Sequence, residues 1–301
     1  MDEGNALGDY LRARRELVGP EDVGLRVSGL RRVAGLRREE VATLAGISSD
    51  YYLRLEQGRD RHPSVQVLEA LARVLQLDPG AAEYLITLAQ PRSRARRERP
   101  RRERVPVGIA QLVETVGLPA FVEGRYFDVL ASNAMARALS PNLVVGANRL
   151  RSMFLDAGER ALYPDLERAL AGMVAGFRVS VGSATDDARC VQLVGELSLV
   201  SEHFRRLWAR HDVKIREGAP QAFHHPEVGD LTLRREKLEI GGSDGQLLVI
   251  YHAEAGSESA RSLALLGSLA ATQEVVSPEA EAETGSRGGA ARWRSGESGH
   301  G

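Results

Sequence analysis

Five side chains recur on one face of a short predicted helix, at the spacing i, i+1, i+4, i+5 and i+8. They are Ser49, Asp50, Leu53, Arg54 and Gln57. Hydroxyl, carboxylate, guanidinium and amide groups presented in this way can exchange hydrogen bonds with the edges of nucleic-acid bases. The same face could also be the solvent-exposed side of an ordinary helical hairpin, because short sequences match helical motifs by chance. The spacing alone leaves both interpretations open.

The neighbouring residues predict two helices and a turn that would hold this face outward. Residues 36–58 read LRREEVATLAGISSDYYLRLEQG. Gly46 favours a tight turn between the helices because glycine tolerates positive φ. The opposite side carries apolar residues expected in a small core, which are Val41, Leu44, Ile47, Tyr52 and Leu55. A short helix presented at a steep angle suits the major groove of DNA.

Three further helices are predicted around this pair. The first spans residues 7–17, with an apolar face of Leu7, Tyr10, Leu11 and Leu17. Its opposite face carries Arg12, Arg14 and Arg15. Ser64 and Asp78 are natural N-caps of the fourth and fifth helices, and Pro79 suits the first position of the fifth. Five helices in about 90 residues are enough for a small domain, and this context favours DNA binding.

The arrangement resembles the lambda-repressor-like (XRE) helix-turn-helix domain. LRREEVA, LAGIS and YYLRLEQGR are similar to an actinobacterial-type branch of that family. The resemblance implies an all-α domain over residues 1–90, with the second and third helices reading double-stranded DNA. The chain departs from shorter members by a longer loop, roughly residues 18–35, between the first two helices.

The resemblance assigns base reading to Ser49, Asp50 and Arg54. The Arg54 guanidinium can form a bidentate hydrogen bond with guanine O6 and N7. Asp50 can accept a hydrogen bond from cytosine N4, or it can cap the helix, and both roles stay open. Arginines at the ends of the motif are expected at phosphates, and these are Arg37, Arg38, Arg59 and Arg61.

The composition is that of a soluble chain with room for two cores. The chain has 301 residues, of which 43% are hydrophobic and 27% charged. No run approaches the roughly 18 apolar residues that a bilayer requires, and the N-terminus lacks an apolar signal core. A cytoplasmic location is therefore expected. Cys190 is the single cysteine, which excludes an internal disulfide, and its RCVQLV context predicts inert core rather than a catalytic thiol.

Charge is distributed unevenly along the chain. Residues 1–104 contain 20 arginines against 16 acidic residues, whereas the remainder contains 20 basic against 25 acidic residues. This split fits a DNA-binding module joined to a domain that does not contact DNA.

A linker and a tail are predicted from composition. Residues 91–106, PRSRARRERPRRERVP, contain eight arginines, and a solvated linker is assigned to residues 91–104. The linker can follow the phosphate backbone, which the arginine bias favours, or act only as a charged spacer. Residues 272–301 end in a Gly-, Ser- and charge-rich stretch, which predicts a disordered tail.

Residues 105–271 mix helical and strand periodicity. VGIAQLVETVG predicts a helix, and PAFVEGRYFDVLASN predicts a hairpin that closes at Asn133, a residue able to cap the next helix. After a helical middle, GDLTLRREKLEI and QLLVIYHAE predict two strands. This order predicts an α+β domain, in which one antiparallel sheet has helices packed on a face.

Four phrases in this region resemble the ligand-binding domain of MmyB-like transcription regulators. They are YFDVLASN, MFLDAGERALYPD, LVGELSLVSEHFRRLWARHDV and FHHPEVGDLTL. The resemblance implies a PAS-like sensor domain behind an XRE helix-turn-helix. Ser132 departs from the family, which commonly has Trp there, so any pocket wall built by that ring is altered.

Sensor sites are concave and mostly apolar, with a few polar groups that orient the ligand. Candidates by motif are Tyr126, Asn133, Phe154, Trp208, His211 and His225. Each also has a structural interpretation: aromatic rings fill cores, and His211 can end a helix. His224 and His225 offer metal-binding nitrogens, but adjacent side chains of an extended segment point oppositely, so neither a metal nor a cofactor is predicted.

The sequence therefore predicts a DNA-binding transcription regulator rather than an enzyme. Its C-terminal domain would sense a small hydrophobic ligand, and a homodimer would place two recognition helices about 34 Å apart. One alternative is a C-terminal domain that only dimerises or binds a protein partner. Another is a DNA-tethered hydrolase, but no GxSxG, phosphate-cradling glycine loop or metal-spaced cluster supports it.

Overall fold

The structure is a computed structural model of the chain. It describes residues 5–26, 31, 33–90, 103–182, 184, 187–213 and 220–285, with side chains as far as residue 272. Most of the predicted arginine-rich linker, residues 91–102, lies outside the described residues. Residues 286–301 of the predicted tail also lie outside them.

The N-terminal domain is all-α, as predicted. Its helices are α1 (Ala6–Leu17), α2 (Arg38–Ala45), α3 (Ser49–Glu56), α4 (Val65–Val74) and α5 (Pro79–Ala89). Ser64 and Asp78 cap α4 and α5 with side-chain oxygens that accept backbone amides, which confirms both predicted caps. One turn of 3₁₀ helix, Glu21–Val23, lies in the loop between α1 and α2.

At three positions of this domain, the burial of the side chain differs from what helical periodicity predicts. Leu17 and Leu44, predicted for the core, are 49% and 39% exposed. Arg15, predicted on the charged face of α1, is buried because its guanidinium pairs with the carboxylate of Glu56. Periodicity sorts residues by polarity alone, so it cannot anticipate an ion pair formed with another helix.

The C-terminal domain is α+β, as predicted, with five strands in one antiparallel sheet. The strands are β1 (Ala120–Glu123), β2 (Val129–Ser132), β3 (Gln221–His225), β4 (Gly229–Glu239) and β5 (Leu247–His252), in the order β2-β1-β5-β4-β3. The helices are α6 (Val107–Thr115), α7 (Ala134–Leu139), α8 (Arg149–Leu155), α9 (Ala157–Ala161), α10 (Leu166–Val181), α11 (Ala188–Val200), α12 (Glu202–Ala209) and α13 (Glu258–Gly285).

Helices cover both faces of this sheet rather than one. Phe121 of β1 faces the larger core, which α7, α8 and α10–α13 complete. Val122, the next residue, faces a small second core where it meets Val113 of α6. Successive strand residues point to opposite faces, so β1 is buried throughout. Edge strand β3 was not among the predicted strands, because its QAFHH sequence is only partly apolar.

The last helix is longer than the sequence predicted. Helix α13 lies against α7 and β4 and buries Leu263, Leu266 and Ala270. Its 28 residues continue to Gly285, so residues 272–285 of the predicted disordered tail are helical instead. Alanine and glutamate favour helix, and a helix already anchored by packing needs no new nucleation. No helix of the described residues is long and apolar enough to cross a membrane.

Asn133 ties three elements of the C-terminal domain together. Its side-chain oxygen accepts the amide of Ala136, which confirms the predicted cap of α7, and also accepts the amide of Ala120 in β1. Its Nδ2 donates to carbonyls at and beyond the end of α6, which are those of Val113, Val116 and Leu118. The amide therefore satisfies backbone groups that are buried or partly buried.

Replacing Asn133 with alanine should lower the free energy of unfolding by at least about 2 kcal/mol, because several buried backbone groups lose their partner. Urea denaturation of the full chain measures this change. The matched control is Gln192→Ala on the exposed face of α11, where the expected change is within about 0.5 kcal/mol. Equal stabilities of the two variants would contradict the role of Asn133.

Candidate DNA interface and ligand cavity

The predicted helix-turn-helix is present, with its turn at Gly46. Gly46 has φ of 69°, the left-handed conformation that glycine adopts without steric cost. Helix α3 starts after Ser48, whose hydroxyl accepts the amide of Tyr51 at 3.1 Å. Below the exposed face, Tyr52 and Leu55 are fully buried. The recognition helix is thus anchored by its apolar side and presents its polar side.

The three predicted base-reading residues lie on that outward side. Ser49 and Asp50 are exposed, and the Arg54 side chain is 42% exposed. Asp50 does not provide the cap, because Ser48 does. Instead the Asp50 carboxylate bonds directly to the Arg54 guanidinium one turn later, and this guanidinium lies 5.6 Å from the ring centroid of Tyr51. Two contacts therefore hold Arg54 in position.

A buried carboxylate, Glu56, joins the recognition helix to the two helices before it. Its Oε1 accepts a hydrogen bond from Arg15 Nε at 2.6 Å, and its Oε2 accepts one from Arg38 Nε at 2.6 Å. Burial acts to raise the pKa of Glu56, but the hydrogen bonds from Arg15 and Arg38 hold it below its ordinary value. Sequence reasoning missed this residue. Its position four residues after the buried Tyr52 was the available signal.

The four arginines predicted at phosphates occupy two kinds of environment. Arg37 and Arg59 are exposed, and Arg61 is exposed with its Nε donating to the carbonyl of Gly58 at 2.9 Å. Arg38 is 46% exposed and also holds Glu56, so it has a structural partner that the sequence did not predict. Any loss of Arg38 would therefore disturb α3, whether or not its predicted phosphate contact forms.

A cavity of about 630 Å³ lies where the two domains meet. Its apolar wall is formed by α8 and α10 of the C-terminal domain, with Met153, Ala169 and Met173. Charged side chains also line it, and they are Arg14, Asp78, Asp165, Arg168, Arg210, Asp212 and Arg235. Such a cavity has the size of typical small-molecule sites, which occupy roughly 300–1,000 Å³ and often lie between domains.

Four of the predicted ligand residues lie away from this cavity and have structural partners. The His225 Nε2 lies 2.9 Å from the Ala138 carbonyl, and the Asn133 side chain bonds to backbone groups. Phe154 packs edge-to-face on Phe204 with ring centroids 5.1 Å apart. Burial, and then a hydrogen bond to Asp187, raises the pKa of Tyr126.

The remaining two, Trp208 and His211, meet at Arg178 of α10. The Arg178 guanidinium lies 3.9 Å from the ring centroid of Trp208, and its Nη1 is 3.1 Å from His211 Nδ1. Arginine has only donors, so this Nδ1 accepts. Burial and the nearby Arg178 lower the pKa of His211 to about 4, so the imidazole is neutral at pH 7. Neither ring lines the cavity.

The histidine pair does not form a metal centre with its neighbours. His224 is exposed and its Nδ1 lies 2.7 Å from Asp230 Oδ1, whereas His225 is buried on the other face of β3. Throughout the part of the chain that the structure describes, no three His, Cys, Asp or Glu side chains come together as metal ligands.

A helix-turn-helix domain in front of an α+β domain, with a cavity where the two meet, is an organisation that fits a transcription regulator. Residues 6–85 match a helix-turn-helix domain. Residues 105–266, more than half of the chain, match the MmyB-like transcription regulator ligand binding domain. The chain therefore belongs to the MmyB-like transcription regulators. Comparison with curated proteins gave no match.

Substituting Glu56 by glutamine should lower the free energy of unfolding at pH 7 by about 3 kcal/mol, because Arg15 stays buried without its counter-charge. The folded-state pKa of Glu56 is lowered, so its stabilisation is complete above the ordinary value of 4.5 and is lost as the pH falls through the folded value. The difference between wild type and variant should therefore shrink below pH 4.5.

Urea denaturation of both proteins at pH 7 and at acid pH measures this difference. The control is Glu39→Gln on the exposed part of α2, where a change within about 0.5 kcal/mol is expected. A Glu56→Gln protein as stable as the control at pH 7 would show that the buried ion pair does not anchor α3.

Proposed function

We propose that this protein is a ligand-responsive transcription regulator that reads DNA with α3 and senses a small molecule in the cavity between its domains. The observation that carries the sensing part is the cavity of about 630 Å³ between the DNA-binding domain and the domain that matches ligand-binding regulators. Its apolar wall suits the hydrophobic ligand expected from the sequence. Its arginines and aspartates add a polar side, so the proposed ligand is amphipathic.

On the DNA side, Ser49, Asp50 and Arg54 are proposed to contact base edges in the major groove. The Asp50–Arg54 pair supports this role, because a guanidinium whose direction is already set loses less freedom on binding guanine. The exposed Arg37, Arg59 and Arg61 are proposed at phosphates, where their charge adds affinity without base preference. Arg38 is proposed to contact phosphate with the part of its guanidinium that Glu56 does not hold.

A homodimer is part of the proposal. One short recognition helix contacts few base pairs, and two copies on half-sites about 34 Å apart would read a longer site. A cytoplasmic location, expected from the sequence, is also part of the proposal. The competing function is a C-terminal domain that serves only dimerisation or a protein partner, in which case the cavity would hold no small molecule.

Arg54→Ala should relax base preference at one position of the binding site, at a cost of about 1–3 kcal/mol for the preferred sequence. Selection of bound DNA from a random pool, followed by titration of single-base variants, measures this preference. The control, Arg59→Ala, should weaken binding to all DNA sequences equally. It should also reduce the slope of log affinity against log salt concentration by about one. An Arg54→Ala protein with unchanged base preference would remove Arg54 from the base-reading set.

Gly172→Leu should empty the cavity of its ligand. Gly172 lines the cavity, and a Cβ placed there meets no atom within 4 Å, so the leucine side chain has open space to enter. The substitution should not unfold α10, because leucine favours helix over glycine by about 0.5–1 kcal/mol. Native mass spectrometry of protein purified from cells would detect a small molecule retained by wild type and missing from Gly172→Leu.

The matched control is Gly195→Leu in α11. Gly195 is also an exposed helical glycine, and a Cβ added to it meets only open space, but it does not line the cavity. This variant should retain the molecule. Wild-type protein that is repeatedly empty, with or without added cell extract, would favour the dimerisation alternative.

A further inference from the structure

The DNA-binding domain contributes part of the cavity wall. Arg14 of α1, Asp78 at the cap of α5 and Ala81 within α5 line the cavity together with residues of the C-terminal domain. The matched ligand-binding region covers residues 105–266, so these three residues lie outside it. A molecule in the cavity would therefore touch both domains.

The contact between the domains borders the same cavity. Arg14 Nη1 donates to Asp212 Oδ1 at 3.2 Å, and Arg210 Nε forms a salt bridge with the other oxygen of Asp212 at 3.0 Å. Val213, which follows Asp212 in the C-terminal domain, is buried in the core of the DNA-binding domain. Asp212 and Val213 both line the cavity. The cavity therefore forms only when the two domains are docked.

Burial of Arg178 opposes this docked arrangement. The residue is 3% exposed and interacts electrostatically with Tyr84 of α5, and the next residue, Val179, packs on the core of the DNA-binding domain, so Arg178 belongs to the domain contact. Its other partners are uncharged, namely His211 and the backbone of Trp208. Among the described residues no carboxylate lies at salt-bridge distance from Arg178. Asp212 attracts this cation only from beyond salt-bridge distance, so its burial remains costly, and separation of the domains would hydrate it.

We propose that the cavity is a bipartite effector site, in which the DNA-binding domain supplies Arg14, Asp78 and Ala81 and the ligand holds the two domains together. This inference rests on the proposed function, since it requires that the cavity binds a small molecule. A ligand that needs both walls binds only the docked form, so it shifts the balance towards docking. Docking sets the direction of α3 relative to the C-terminal domain. Ligand binding therefore acts on the recognition helix directly.

The test uses the full chain and the dye 1-anilinonaphthalene-8-sulfonate, whose fused rings and single anionic group suit an apolar wall lined by arginines. Hydrogen–deuterium exchange followed by mass spectrometry compares amide protection with and without the dye. The expected result is slower exchange in α1 and α5 as well as in α10, because both walls contact the dye. Gly172→Leu should abolish this protection in all three helices, and Gly195→Leu should preserve it.

A pair of variants in α1 separates the contribution of the DNA-binding domain. Arg14→Ala removes a cavity residue and the bond to Asp212, and should weaken dye binding about five-fold or more. Arg12→Ala, an exposed arginine of the same helix, should leave dye affinity within about two-fold of wild type. Dye fluorescence titrations measure both affinities.

Three outcomes are distinguishable. Protection of α1, α5 and α10 that Gly172→Leu removes, with weaker binding by Arg14→Ala, supports the bipartite site. Protection confined to the C-terminal domain, with equal affinities for Arg14→Ala and Arg12→Ala, overturns the inference and leaves the proposed sensing function in place. Dye binding that is absent, or unaffected by Gly172→Leu, removes the cavity as a site and therefore overturns both.

Discussion

The buried carboxylate of Glu56 is the interaction on which the DNA-binding domain depends. It sits at the end of α3 and receives one guanidinium from α1 and another from α2, so one residue links all three helices. A buried charge is costly unless it is paired and hydrogen-bonded, and both oxygens of Glu56 are bonded here. The polar face of α3 can therefore face solvent without loosening the helix. The side chains proposed to read DNA are held by a contact on the opposite side.

The contact between the domains buries a charge that is compensated less completely. Arg178 is a buried cation whose partners are a phenol, a neutral imidazole, a backbone carbonyl and an indole ring. Its Nε has no hydrogen-bond partner, and Asp212 attracts the guanidinium only from beyond salt-bridge distance. Beside the Arg14–Asp212 ion pair, the contact between the domains therefore contains a buried charge that is only partly compensated. An attachment of this kind suits a regulator, because a modest binding energy can shift it.

Local features of the structure followed from local sequence. Ser64, Asp78 and Asn133 cap helices because a short polar side chain before a helix can reach its unpaired amides. Gly46 forms the turn because its positive φ suits glycine. The incorrect predictions concern contacts between distant elements. Arg15 is buried because it pairs with Glu56, which lies 41 positions away. Residues 272–285 extend α13, whose preceding residues pack on the C-terminal domain. Of the six residues predicted to bind a ligand, Trp208 and His211 meet at Arg178 and none lines the cavity, so their role stays a prediction.

The sequence by itself determined the class of each domain, the position of the recognition helix and the residues on its outer face. Those properties depend on periodicity, capping and turn chemistry, which act over a few residues. Only the tertiary structure decided which charges are buried and where a cavity forms. Both depend on pairs brought together from distant positions, such as Arg14 with Asp212 and Arg15 with Glu56. Side-chain chemistry at one position does not specify its partner, and that partner decides whether a charge can leave water.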